Sequence, residues 1–208
     1  MTGELERLYA QERERLKNIA EDKRTGERLR PVFGDGPENA LLMLIGEAPG
    51  AAETEQGRPF VGKAGAQLVE LLELAGIPRE SVFVTNAVKY RPTNVKVRSV
   101  SNRTPSQEEI LESLPLLGAE IGVVRPRSIA TLGNTPLYAV NRLFGGADAT
   151  VGELHGRAIK LDTGADTLLF PLYHPASGIY RRELVAVMKE DILKLKAILG
   201  SLERGDML

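Results

Sequence analysis

Apolar residues recur along the chain in two rhythms, and each rhythm predicts a kind of element. Over the first two dozen residues Leu5, Leu8 and Tyr9, then Leu16, Ile19 and Ala20, fall on one stripe at helical spacing, which predicts a surface helix packed by that stripe. Residues 28–39 contain Pro31, Gly34, Gly36 and Pro37 and read as a loop. Leu41-Leu42-Met43-Leu44-Ile45 is an unbroken apolar run, the pattern of a strand buried on both faces. Leu68, Leu71, Leu72 and Ala75 place a helix over residues 63–75, with Gly76 closing it. A second strand spans 81–86. A helix spans 106–124, where Ser106 and Glu109 form a capping-box pattern. Residues 128–132 give a third strand and 133–143 a helix. Residues 167–171 give a fourth strand, and 181–199 a final amphipathic helix.

Strands alternating with helices predict an α/β chain, a three-layer α/β/α sandwich around a central four-stranded, largely parallel sheet. Ligands of such sheets bind beyond the carboxyl ends of the strands. That rule singles out Gly46-Glu47, Asn86-Ala87, Gly133-Asn134 and Tyr173-His174, far apart in sequence yet gathered on one edge. The length of 208 residues suits one domain, residues 1–208, and no repeat or linker divides it. The formal net charge is −1, so nucleic-acid binding would need a local basic patch. With no cysteine, disulfides, thiolate zinc sites and cysteine-held iron–sulfur clusters are excluded; two histidines leave little for any other metal site, and no cofactor is expected. The charged N-terminus is unlike a signal peptide, and no apolar run is long enough to cross a bilayer. The expectation is a cytoplasmic protein with no membrane partner. Neither GxxxxGK[ST] nor GxGxxG is present, which argues against other phosphate-binding α/β enzymes.

Four segments stand out: Gly46-Glu47-Ala48-Pro49-Gly50 with Gly57-Arg58-Pro59-Phe60-Val61-Gly62-Lys63-Ala64-Gly65; Thr85-Asn86-Ala87-Val88-Lys89; Asn102-Arg103-Thr104-Pro105; and Tyr173-His174-Pro175-Ala176. In this order and spacing, from about residue 31 to about 198, the chain resembles the uracil-DNA glycosylase superfamily, and within it family 4, the iron–sulfur branch. The resemblance implies a monomeric, monofunctional enzyme that hydrolyses uracil from DNA, releases free uracil and leaves an abasic site.

The residues suit that chemistry. Such an enzyme must flip its nucleotide into a pocket and read the base edge. Phe60, in a Pro/Gly-flanked loop, can give the pocket a stacking face, though it could also be a core aromatic. Asn86 offers a donor and an acceptor side by side, and the family's uracil-reading Asn maps onto it; an Asn at a strand end is otherwise a common turn residue. Gly46 stands beside it. His174, matching the family's HP motif, can donate to uracil O2 as charge builds there, in the manner of an oxyanion hole. Glu47, or Glu53 as a second candidate, can stabilise the oxocarbenium-like sugar and orient water; the alternative for Glu47 is a hydrogen bond that holds its loop. His155 matches no catalytic position and reads as a surface loop residue. Lys63, Lys89, Arg91, Arg103 and Asn134 are candidates for phosphates. Ile179 and Tyr180 either wedge open the base stack or begin packing the last helix.

Two departures from the family matter. The four cluster cysteines are missing: Tyr90 and Ser113 stand at two of their positions, and the charged N-terminal helix, residues 1–30, replaces the other pair. Tyr90 and that helix are expected to fill the space by packing. Residues 93–101 are an insertion where family members have only a couple of residues. Relatives that trap uracil covalently place a basic loop and a nucleophilic His there. Asn102 occupies that spot here, so turnover is expected. Lys96 and Arg98 in the insertion either touch the DNA backbone or sit in a solvated loop. Two rivals remain open: a glycosylase for hypoxanthine or xanthine, and a non-catalytic DNA-binding member of the fold.

Overall fold

The computed structural model describes residues 3–18, 30–96, 99–163 and 166–206. The apolar runs become strands β1 (Leu42–Gly46), β2 (Val82–Asn86) and β5 (Ser128–Leu132), in which every residue is buried. With β7 (Asp166–Leu172) they form a parallel array, and β6 (Ile159–Asp162) adds an antiparallel edge, giving the order β2-β1-β5-β7-β6. The parallel core of four strands is the one the pattern predicts. The fifth strand went unread because β6 buries one residue well, Leu161, and its polar neighbours face outward.

Side-chain alternation splits the core in two. Met43, Ile45, Phe83 and Ile129 point to one face, where they meet α1 (Gly3–Asn18), α4 (Gln107–Val124) and α5 (Asn134–Phe144). Leu42, Leu44, Val82, Val84, Ala130 and Leu132 point to the other, against α3 (Lys63–Leu74) and α8 (Glu183–Arg204). This is the three-layer arrangement. The Ser106–Glu109 capping box forms as expected: the Glu109 amide donates to Ser106 Oγ at 3.3 Å and the Ser106 amide to Glu109 Oε2 at 2.7 Å. Short helices α2 (Ala51–Gln56), α6 (Val151–Leu154) and α7 (Ser177–Tyr180) lie within the connections. The insertion is an antiparallel hairpin of its own, β3 (Thr93–Lys96) with β4 (Ser99–Asn102). In α1, Leu5 and Tyr9 are buried against α4, whereas Ile19 and Ala20 lie outside the described residues. Among the described residues no helix is long and apolar enough to cross a membrane.

The strand order has a switch point. The chain steps from β1 outward to β2, then crosses to the opposite side for β5. The crevice beyond β1 and β5 is therefore where the architecture leaves room for a ligand.

Candidate active site

A cleft of about 460 Å³ opens at that edge, a size suited to a nucleotide. Glu47, Phe60, Asn86 and His174 all line it, with Glu53 and Lys63 from the first loop and Pro92, Asn102 and Arg103 from the root of the hairpin. Three of the four segments that the topology rule picked out thus meet in one place, through Glu47, Asn86 and His174, whereas Gly133-Asn134 does not line the cleft.

Asn86 ends β2 and is buried. Its neighbour across the sheet is Gly46. A Cβ on Gly46 would run into both Asn86 Oδ1 and the Phe60 ring, so a glycine there lets an amide and an aromatic converge on one backbone position. Phe60 has φ of 56°, in the left-handed region that costs a side-chain-bearing residue about 1–3 kcal/mol. Strain of this kind collects at ligand sites, and Phe60 both lines the cleft and packs against the core layer beneath α3 and α8.

Glu47 extends past β1. The Thr135 hydroxyl donates to Glu47 Oε2 at 2.6 Å, bridging the ends of β1 and α5 across the switch point. One carboxylate oxygen is thereby oriented on a residue that lines the cleft. His174 follows β7. The Ala176 amide donates to His174 Nδ1 at 3.2 Å. Nδ1 is then an acceptor, the proton sits on Nε2, and the ring is neutral. Burial works the same way, pushing the imidazole below its ordinary value of 6.5. The cleft therefore holds a neutral imidazole N–H donor, a side-chain amide and an oriented carboxylate. Among the described residues no group of three or more histidines and carboxylates is placed to hold a metal ion.

Beneath Asn86 lies a buried polar network. Lys89 Nζ donates to the Asn86 carbonyl at 2.5 Å, to Thr85 Oγ1 at 2.8 Å and to Glu120 Oε2 at 2.6 Å. Thr85 Oγ1 donates to Glu120 Oε2 at 2.9 Å, and Tyr9 of α1 donates to Glu120 Oε1 at 2.8 Å. Burial lowers the Lys89 ammonium from its ordinary value against the pull of Glu120; burial, then the Glu120 charge, raises the Tyr9 phenol. The network clamps the backbone that presents Asn86.

This overturns one sequence expectation. Lys89 is 2% exposed and ion-paired, so it cannot meet a phosphate. Glu53 is in the cleft, but its oxygens accept from the Gly50 and Gly62 amides at 3.1 and 2.7 Å, which makes it a loop brace. Arg103 reaches the cleft with its guanidinium forked onto Glu109 at 2.6 and 2.7 Å. Asn134 spends its Oδ1 on the Val151 amide at 2.7 Å. Lys63 and Lys96 are exposed, and Arg91 donates from Nε to Asn102 Oδ1 at 2.7 Å. Ile179 is exposed on α7; the Tyr180 side chain and Arg98 lie outside the described residues. His155, expected as a surface loop residue, lies half-buried in the turn after α6, with Nδ1 2.7 Å from Asp191 Oδ2, a partner the sequence did not reveal. Sequence reasoning missed Thr135 as the partner of Glu47, and Glu120; the first sits at a strand end that the topology rule marks, and the second carried no local signal.

The residues present do not fit a thiolate-held cluster. Tyr90 packs against the core, Ser113 Oγ donates to the Glu109 carbonyl at 2.8 Å, and Leu5 and Tyr9 are buried.

Comparison with known proteins agrees with the geometry. The model of the family described as the uracil DNA glycosylase superfamily matches residues 33–196. The chain is 39% identical to a type-4 uracil-DNA glycosylase of Saccharolobus solfataricus over 176 residues, covering 84% of this chain and 78% of that protein. It is 39% identical to one from Pyrobaculum aerophilum, covering 79% and 81%. It is 36% identical to one from Thermotoga maritima, covering 83% and 84%.

Proposed function

The chain belongs to the uracil DNA glycosylase superfamily, and we propose that it is a monofunctional uracil-DNA glycosylase, hydrolysing the N-glycosidic bond of uracil in DNA to free uracil and an abasic site. The observation that carries the mechanism is the Ala176 amide on His174 Nδ1, which leaves Nε2–H as the free donor of a ring that lines the cleft. The flipped uracil stacks on Phe60. The Asn86 amide accepts from N3–H and donates to O4. As the glycosidic bond breaks, its electron pair passes to the base, and His174 Nε2–H stabilises the charge on O2. Glu47, held by Thr135, faces the cationic sugar and orients the water that completes hydrolysis. Lys63, Arg91 and Lys96, exposed or at the cleft rim, together with Asn134 and the exposed Ile179 of α7, hold the DNA.

We extend the proposal to the chain as a whole. It is a single domain, residues 1–208, in which the N-terminal helix takes the place of the cluster-binding region; the Tyr9–Glu120 bond supports this. It acts as a cytoplasmic monomer.

The test is release of uracil from oligonucleotides carrying one uracil, single-stranded or opposite G or A, with alkali to open abasic sites. Wild type yields breaks, and Asn86→Ala yields few. Breaks only on hypoxanthine- or xanthine-containing strands would replace the uracil assignment, and no breaks on any substrate would favour a non-catalytic DNA-binding member.

A further inference from the structure

Resting on the reading above, we propose that the β3–β4 hairpin is a second nucleic-acid contact, which uses the Val95–Val100 pair to cover the base beside the flipped nucleotide. The register carries the first part. Thr93 pairs with Asn102, Asn94 with Ser101, Val95 with Val100 and Lys96 with Ser99. Directly paired residues share a face, and successive pairs alternate faces. Asn102 and the Val95–Val100 pair are therefore on one face, while Asn94, Ser101, Lys96 and Ser99 are on the other. Asn102 lines the cleft. Its face thus continues the cleft wall outward, polar at the root and apolar beyond.

That apolar pair is uncovered. Val95 is 49% exposed and Val100 43%, in a two-stranded ribbon that no third strand or helix backs among the described residues. The root is nonetheless held firmly. The Arg103 amide donates to the Pro92 carbonyl at 3.1 Å, Arg103 Nε donates to the Thr93 carbonyl at 3.2 Å, and the Arg103 guanidinium is locked on Glu109. These bonds anchor the root of the arm beside the cleft.

Charge identifies the occupant. Residues 90–106 contain Arg91, Lys96, Arg98 and Arg103 and no Asp or Glu, within a chain of net charge −1. A partner that is anionic and also offers flat apolar faces is a nucleic acid. Flipping one nucleotide strips its neighbours of a stacking partner, and an apolar side-chain pair at the cleft mouth replaces that contact.

The experiment compares wild type with Val95→Thr/Val100→Thr, a change that keeps β-branching, and with Val95→Ile/Val100→Ile, which keeps the apolar surface. Binding is read by fluorescence anisotropy on DNA with a central abasic gap. Cleavage is read on uracil DNA with 2-aminopurine beside the uracil. The threonine variant is expected to weaken binding and raise KM about tenfold, on the order of 1.4 kcal/mol, with little change in kcat. It should also blunt the 2-aminopurine signal on binding. The loss should be equal at low and high salt, because an apolar contact releases no counterions. The isoleucine variant should behave as wild type. Threonine-variant binding and KM within twofold of wild type would overturn the proposal. So would a wild-type dimer that the threonine variant dissociates, since a second copy would then cover the pair. Wild-type DNA binding without uracil release would instead remove the glycosylase reading, and the anisotropy series would still judge the arm.

Discussion

The chain has two histidines, and the fold treats them in opposite ways. His155 directs Nδ1 at the buried carboxylate of Asp191, 2.7 Å away, and leans on the Tyr173 ring at 4.8 Å. It ties the end of α6 to α8. His174 has Nδ1 occupied by a backbone N–H, and burial favours its uncharged form. A histidine that donates from Nδ1 to an acid acts as a tether. A histidine that accepts at Nδ1 keeps a single proton, on Nε2, and can offer it to a substrate oxygen without carrying a charge into the site. The partner of Nδ1 decides which of the two roles a ring can fill.

The largest expected effect breaks the comparison at its catalytic end. His174→Ala should lower the single-turnover rate of uracil release by roughly 10²–10³-fold, the usual loss of one oxyanion-type donor. Its thermal midpoint should move little. Thr135→Val frees Glu47 from its orienting bond, and a loss of roughly 10–100-fold in the same assay is expected, as for other partners that orient an active group. A loss in melting temperature with an unchanged rate would make Glu47 a loop holder instead.

At the tether end, His155→Ala should cost about 1 kcal/mol of stability, the scale of one hydrogen bond, measured by urea unfolding, with a rate close to wild type. The smallest effect is a linkage. Because the folded-state value of His174 lies below the unfolded value near 6.5, the unfolded chain takes up the proton first as pH falls. Stability from this group is whole above that value and is lost as pH drops from it toward the lowered folded value. The acid limb of the rate should likewise fall below the ordinary histidine range. Paired urea titrations of wild type and His174→Gln across that window measure the linkage.

Much of this was legible in sequence for a physical reason. The apolar runs at 41–45, 81–86 and 128–132 are strands because only a sheet covered on both faces buries such runs, and the strand-end rule then placed Glu47, Asn86 and His174 on one edge. The hairpin was hidden because Thr, Asn and Ser alternate with exposed valines, a pattern that buries almost nothing. Lys89 was misjudged because its partner is remote: a lysine after a strand looks like a phosphate contact until Glu120 arrives from α4. His155 and Asp191, 36 positions apart, were illegible for the same reason. Sequence periodicity reports what is buried, but it does not report which polar group meets which across the core.

The measurement that tests the account most directly is ¹⁵N NMR of the ring nitrogens, where two histidines give two resolvable sets of signals. At neutral pH His174 should show a protonated Nε2 and an unprotonated Nδ1, and it should hold that state below the ordinary value of 6.5. His155 should show its proton on Nδ1. A His174 ring protonated on both nitrogens at neutral pH, or on Nδ1 alone, would contradict the neutral Nε2–H donor on which the mechanism stands.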